Sequence, residues 1–281
     1  MAHERIPNVL SIAGSDPSGG AGVQADLKAL SALGAYGMCA VTALTAQNTT
    51  GVRGVSGVDP AFLSDQIDAV FDDVRVDAVK IGMVGSAASV KAVAECLERY
   101  RPPLVVVDPV MVAKSGDRLI DDAAVDALRE RLLPLASVIT PNLPETAVLL
   151  EDRHAPARTD DMEAAGMRLL DLGARAALVK GGHLDGDAVT DVLCEPAGTR
   201  TYGSERVRTA NTHGTGCTLS SAIAALAPAS GSMAEAVEAA RRYLVMALGA
   251  ADRLSVGQGC GPVHHFVDLW ANDPARRWLE N

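Results

Sequence analysis

The sequence predicts an α/β fold in which a mostly parallel central sheet carries helices on both faces and an antiparallel hairpin closes one edge. Three observations lead there. Short β-branched or aliphatic runs alternate with longer Ala/Leu-rich stretches, the alternation breaks after Lys180, and polar and glycine residues gather where the runs end. Open α/β sheets bind their ligands beyond those strand ends.

The expected strands are residues 9–13, 38–44, 78–81, 104–108, 138–140 and 176–180. Their near-continuous Val, Ile, Leu and Ala content suits strands buried on both faces. Between them, residues 23–33, 61–70, 87–100, 121–132 and 159–172 carry apolar side chains at helical spacing. Beyond Lys180, residues 188–194 and 200–208 read as two strands joined by the turn Pro196-Ala197-Gly198. Helices follow at 217–227 and 232–251, the second opening with the capping-box pair Ser232 and Glu235. No linker, repeat or low-complexity tract interrupts the pattern, so a single domain spanning 1–281 is expected.

Charge narrows the function. A formal net charge of -10 without any Lys/Arg run repels nucleic-acid backbones and anionic lipid, so the expected ligand is a small molecule and neither nucleic acid nor membrane is a partner. The apolar stretch before the first Gly/Pro/Ser turn is too short for a signal segment or a span, and a cytoplasmic location is expected. Five scattered cysteines (Cys39, Cys96, Cys194, Cys217, Cys260) lack metal or zinc-finger spacing and are expected as reduced thiols.

Five segments carry possible chemistry. Residues 14–22 form a glycine-rich loop between a strand and the helix holding Asp26, where backbone N–H groups can approach a ligand closely. Gly20-x-Gly22-x-x-Ala25 also fits a dinucleotide fingerprint, the basis of a rival reading as a nicotinamide-dependent oxidoreductase. The end of the second strand lacks the acid that would hold the ribose, and GxxxxGK[ST] does not occur. Residues 211–221, Asn-Thr-His-Gly-Thr-Gly-Cys-Thr-Leu-Ser-Ser, run a glycine-rich loop straight into a helix. Free N–H groups and the positive dipole end make such a start a site for phosphoryl charge, and a thiol in the first turn, Cys217, is placed for a lowered pKa.

Lys180 ends a strand of buried residue types, at a place suited to nucleotide phosphates, although a solvated lysine at a strand end is equally ordinary. Asn142-Leu-Pro-Glu145 is accounted for by a helix start with a capping box; the competing reading turns Asn142 and Glu145 toward Mg²⁺. Asp108 opens the segment 108–116 at the end of a buried strand, where its charge needs a partner. His264 and His265 are expected to be structural or surface residues, and His213 stays open.

Together these blocks resemble a known family. AGSDPSGGAGVQADLKALSALGAYG, TALTAQNT, KIGMVGS, DPVMVAKSGD, ITPNLPE, VKGGH and NTHGTGCTLSSAIAA, ending in GPVHHF, are similar to the hydroxymethylpyrimidine (phosphate) kinases of thiamine biosynthesis, over nearly the whole chain. The resemblance implies a ribokinase-like fold, a homodimer, ATP and Mg²⁺, and transfer of the γ-phosphoryl group to 4-amino-5-hydroxymethyl-2-methylpyrimidine and then to its monophosphate. It implies that Asp26 and Gln47 bind the pyrimidine while Gly14, Met83 and Val110 line its pocket. Asn142, Lys180, Thr212 and Thr215 would bind nucleotide, and Asp108 and Glu145 would lie at the metal. Cys217 would stand with Lys180, Gly214 and Gly216 at the catalytic centre, where broader relatives carry an aspartate base. Gln47 suits its role chemically, since an amide sets a donor beside an acceptor. Two further rivals are a pyridoxine/pyridoxal kinase and a silent sensor on the same fold.

Overall fold

The computed structural model describes residues 5–111 and 120–271. In chain order the elements are β1 (Asn8–Ser15), α1 (Gly22–Ala32), β2 (Tyr36–Asn48), β3 (Gly51–Gly57), α2 (Pro60–Phe71), β4 (Ala78–Ile81), α3 (Ala87–Tyr100) and β5 (Val105–Val107). There follow α4 (Asp122–Ala127), β6 (Val138–Ile139), α5 (Leu143–Leu149), α6 (Thr159–Asp171), β7 (Ala177–Lys180), β8 (Ala188–Glu195), β9 (Gly198–Glu205), α7 (Thr215–Leu226) and α8 (Met233–Gly249). The strands form one sheet in the order β3-β2-β1-β4-β5-β6-β7-β8-β9, parallel from β2 through β7.

Side chains alternate across a strand, and this period of two sorts the apolar residues into two layers. Leu10, Ile12, Val79, Ile81, Val105, Val107 and Val179 pack with Leu63 and Ile67 of α2, Val93 and Leu97 of α3 and Leu169 of α6. Val9, Ala78, Val106, Val138 and Leu178 pack with Leu30 of α1, Ile223 of α7 and Val237 of α8. Each fully buried Leu or Ile contributes roughly 1.5–3 kcal/mol. Local signals set the helix starts: Asp59 caps α2 through the N–H groups of Ala61 and Phe62, with Pro60 in the first turn.

Three expectations change. The chain after Leu44, expected as a loop with a lid role, continues β2 to Asn48, and β3 pairs back on it with Gln47 opposite Val52. Antiparallel pairing therefore closes both edges, since β7-β8 and β8-β9 are also antiparallel. The helix expected at 121–132 is regular only through Ala127, followed by a π turn at Leu128–Leu132 and a 3₁₀ turn at Leu133–Leu135. Pro134 lacks an N–H and crowds the Glu130 carbonyl, so the helical run does not continue beyond the 3₁₀ turn. At α8, Ser232 accepts from Glu235 N–H, but the Glu235 carboxylate reaches the N–H of Gly231 rather than that of Ser232.

The strand order also locates the site. From β1 the chain goes to β2 on one side and later to β4 on the other, so the sheet reverses direction between β1 and β4. A crevice opens at such a switch point, beyond the carboxyl ends of those strands.

Candidate active site

Gly14 and Met83 meet at that crevice. A Cβ on Gly14 would stand 2.3 Å from Met83 Cε, so the methionine tip packs directly on the glycine and a larger residue there would displace it. Thr42 Oγ1 donates to the Met83 carbonyl at 2.7 Å and holds the turn. Val110 is half-buried beyond the end of the neighbouring β5. Adjacent strand ends thus bring Gly14 and Met83 together, with Val110 following the next strand. The remainder of the 108–116 segment, from 112 to 116, lies outside the described residues.

Asp26 is a correction. Its carboxylate is fully buried and accepts from Lys80 Nζ at 2.8 Å on both oxygens, from Ser11 Oγ at 2.6 Å and from Ser221 Oγ at 2.8 Å. A carboxylate has about four acceptor directions, and these bonds fill them, leaving none for a pyrimidine amino group. Its partner Lys80, which the motifs did not single out, is the largest fully buried side chain among the described residues. The signal was present: a lysine in an otherwise apolar central strand must find a buried partner, and its parity with Ala78 turns it toward α1 and α7.

At the other end of the crevice, Lys180 Nζ donates to Asp108 Oδ1 at 2.8 Å, and Thr140 Oγ1 donates to the same oxygen at 3.0 Å. Burial opposes both charges, but each offsets it for the other: Lys180, then Lys80, hold Asp108 below the carboxylate range, while Asp108 and Glu145 raise Lys180. The start of α7 faces this pair. Its N-cap, Gly214, has φ +78°, and a Cβ there would stand 1.8 Å from the Gly20 carbonyl, so the two glycine loops interlock. No side chain caps the helix, and a Cβ on Gly216 would lie 3.2 Å from Asp108 Oδ2 and 3.5 Å from Lys180 Nζ. The uncapped N-terminus and the ammonium therefore border one small space, an arrangement that stabilises anionic charge.

Cys217 sits in that first turn, but the expected low pKa is overturned. Burial pushes the thiol up to about 11; Lys80 opposes this, and the Asp26 and Asp108 carboxylates add to it. The helix dipole acts, and desolvation wins. Thr215 follows Gly214 at the helix start, and the Thr212 hydroxyl lies within 3.5 Å of Cys260 Sγ.

Asn142 and Glu145 form the reciprocal capping box: Asn142 Oδ1 accepts from Glu145 N–H at 2.9 Å, and Glu145 Oε2 accepts from Asn142 N–H at 2.7 Å. Burial pushes the Glu145 carboxyl up to about 7, with Lys180 opposing and the Asp108 charge adding. The folded chain thus binds a proton at Glu145 that the unfolded chain releases near pH 4.5. Stability from this group is present at low pH and falls as pH rises from about 4.5 to about 7. Glu145→Gln, which keeps the cap, is expected to match the parent near pH 4.5 and to exceed it at pH 8 by on the order of 2–3 kcal/mol without ligands. Thermal melts across pH check this; an advantage that shrinks with rising pH would contradict it.

Gln47 lines a cleft of about 360 Å³ with Asn48, His213, Gly259 and Cys260. His213 is buried against Asp16, with Nε2 2.7 Å from Oδ2. A Cβ on Gly20 would stand 2.4 Å from His213 Cδ2, so the surface a dinucleotide would need on that loop is occupied. His265 is buried and held near pKa 3 by desolvation, then by Lys28 and His264, and its Nε2 lies 3.0 Å from Thr218 Oγ1; it is structural, as expected. All five cysteines are free thiols. Among the described residues, no helix is long and apolar enough to cross a membrane, and no group of three or more His, Cys, Asp or Glu side chains is placed to hold a metal.

The chain is similar to known proteins over nearly its whole length. Residues 16–264 match the family described as Phosphomethylpyrimidine kinase. Over 263 residues the chain is 53% identical to the hydroxymethylpyrimidine/phosphomethylpyrimidine kinase of Escherichia coli (strain K12), covering 94% of this chain and 98% of the relative. A solved phosphomethylpyrimidine kinase from Clostridium difficile 630 superposes with TM-score 0.76 at 42% identity, covering 87% of this chain and all of that one (100%). Bacillus subtilis pyridoxal kinase, solved as an ADP complex, gives TM-score 0.87 at 34% identity over 95% of this chain and 100% of its own.

Proposed function

The chain belongs to the phosphomethylpyrimidine kinase family, and from that membership we propose its reaction: transfer of the ATP γ-phosphoryl group to 4-amino-5-hydroxymethyl-2-methylpyrimidine, then to the resulting monophosphate, in thiamine biosynthesis. The observation that carries this reading is the convergence of the uncapped start of α7 with the Asp108–Lys180 pair at Gly216, beyond the switch point of the sheet.

Lys180 and the N–H groups of Gly216 and Cys217 bind the transferring phosphoryl oxygens and neutralise their charge, which supplies most of the catalysis for a loose transition state. Asn142 and Thr215 border the nucleotide. Gly14, Met83, Val110 and Gln47 hold the pyrimidine with its hydroxymethyl group toward Gly216. Asp26 acts through Lys80 and does not touch substrate.

The donor set suits Mg²⁺. Glu145 is a buried carboxyl whose charge is under-compensated beside Asp108, and a hard cation that keeps part of its water needs only one or two carboxylates. Asp108 and Glu145 would hold it, and when bound it supplies further charge neutralisation at the phosphates. We also place a homodimer contact along the β2–β3 side of the sheet, where Tyr36 and Leu44 of β2 and Val55 of β3 are exposed. The whole chain acts as one catalytic domain in this reading.

In this reading Cys217 acts as a neutral thiol and not as a resident base, because burial pushes it up to about 11. Cys217→Ser is expected to keep kcat within roughly 10-fold, because removing a base that contributes would cost about 10²–10⁴-fold. Alkylation of Cys217 in the free enzyme should accelerate through pH 9 without levelling. A plateau below pH 8 together with a hundredfold loss of kcat would return the thiol to the role of base.

The likeness to pyridoxal kinases supports a second reading, phosphorylation of pyridoxal, on the same phosphoryl site. An ATP/Mg²⁺ assay offering the hydroxymethylpyrimidine, its monophosphate and pyridoxal separately, followed by phosphorus NMR, decides between them. Pyrophosphate ester from the pyrimidine is the expected product. Pyridoxal phosphate alone would move the assignment to vitamin B6, and no product at all would support the silent sensor.

A further inference from the structure

The Arg206 guanidinium grips a single loop by its backbone. Nε donates to the Gly186 carbonyl at 2.8 Å, Nη1 to the Gly182 carbonyl at 3.0 Å and Nη2 to the Leu184 carbonyl, while the Arg206 backbone N–H donates to the Asp187 carbonyl at 2.7 Å. Residues 181–187 link β7 to β8, and from 182 onward only Leu184 is half-buried while the others are exposed, so packing does little to fix them. Three carbonyl oxygens brought to one point repel each other unless a cation holds them. The planar fork of arginine matches several such positions at once, where an ammonium is a point charge.

The loop stands at a telling place. It leaves directly from Lys180, whose ammonium borders the space at Gly216 and whose backbone N–H donates to the Pro141 carbonyl at 2.9 Å, next to Asn142. Its first residue, Gly181, is held by Asp191, whose Oδ1 accepts from the Gly181 N–H at 2.9 Å. Arg206 itself follows β9 and begins the segment that runs through Asn211 into α7. It therefore ties the loop leaving the ammonium to the chain entering the uncapped helix.

In-line transfer sets the leaving ADP opposite the attacking hydroxyl. The acceptor pocket lies at the ends of β1 and β4, and Lys180 ends β7, three strands along the sheet from β4. ADP then extends on the β7–β8 side, where residues 182–187 emerge. A trans peptide also points each N–H opposite to the carbonyl before it. With the Leu184 and Gly186 carbonyls turned to Arg206, the N–H groups of Asp185 and Asp187 face away from the guanidinium. The grip thus sets the direction of the amides as well as the path of the loop.

We propose that Arg206 is a positioning residue for the nucleotide: its guanidinium pre-orders residues 182–187, and the ordered loop receives the ADP portion of ATP. This rests on the reading of the chain as an ATP-dependent kinase.

Calorimetric titration of the full chain with ADP and Mg²⁺, steady-state kinetics and amide hydrogen exchange test it together. Arg206→Ala is expected to weaken ADP binding and raise KM for ATP by about 10-fold, because the loop must then be ordered during binding, with kcat and KM for the pyrimidine within about twofold of the parent. Exchange at residues 182–187 should accelerate in the same variant. Arg206→Lys keeps the charge without the fork and should recover less than half of the lost affinity. Parental affinity in the lysine variant would show that charge and not the grip serves the nucleotide, and would overturn the proposal. Unchanged ADP affinity or unchanged exchange in Arg206→Ala would overturn it too, and so would a fall in kcat with both KM values rising alongside a lower melting temperature, the mark of a merely structural role. A parent chain that bound no ADP would instead fail the kinase reading itself, and the proposal with it.

Discussion

Gly216→Ala should cost roughly 10²–10³-fold in kcat/KM while leaving the melting temperature unchanged or higher, a separation few substitutions achieve. Gly216 is the second residue of α7, in ordinary helical conformation, so alanine adds helix propensity and meets no backbone. Its Cβ would project between Asp108 Oδ2 at 3.2 Å and Lys180 Nζ at 3.5 Å, into the space assigned to the phosphoryl oxygens. The nearest contacts are side-chain ends that can yield a few tenths of an ångström, so folding tolerates the methyl. A reacting phosphoryl group, which must reach both the helix N–H groups and the ammonium, does not. Calorimetry and steady-state kinetics on one preparation check both halves. Full activity in the variant would move phosphoryl transfer away from the start of α7. Loss of activity accompanied by a lower melting temperature would mean that the methyl disturbs the fold instead of the site.

Much of this site was legible because the sequence concentrates chemistry where buried strands stop. Asp108 and Lys180 each follow an apolar run, and the run predicts a buried strand whose end must deliver its charge to a partner. The capping box at Asn142-x-x-Glu145 was legible from its residue types, and it forms with the atoms those types supply. What was not legible depended on pairings across the fold. β3 is mostly exposed, and β2 beyond Leu44 alternates polar residues on a ribbon with little burial, so the hydrophobic period that marks strands is missing there. Cys217 was misjudged because its place in the helix was visible, but the Asp26 and Asp108 carboxylates beside it come from residues about 190 and 110 positions away. A dipole can be read from local sequence; desolvation cannot.

Asp26 and Lys80 were hidden for the same reason, and their pairing leads to the largest expected loss of stability. Lys80→Met should destabilise the chain by about 3–5 kcal/mol, because it leaves an ionised carboxylate buried with only two serine hydroxyls for company. For a domain of this size that lowers the melting temperature by on the order of 10 °C. The pair joins four elements: Ser11 on β1, Asp26 on α1, Lys80 on β4 and Ser221 on α7. Its charges are therefore expected to matter less than their balance. Lys80→Met/Asp26→Leu removes both charges together, and apolar replacements of a buried pair are often neutral, so the double variant should regain at least half of the loss. Recovery is incomplete because Ser11 and Ser221 each lose an acceptor, although Ser221 can turn back to a carbonyl of its own helix. Denaturant melts of the parent, both single variants and the double variant form the cycle. A double variant no more stable than Lys80→Met would show that the loss comes from packing around the lysine stem and not from a stranded charge. If the double variant is stable but slow, the missing Lys80 charge is the cause, since that ammonium lies within reach of Asp108 and Cys217 and helps hold Asp108 ionised beneath the phosphoryl site.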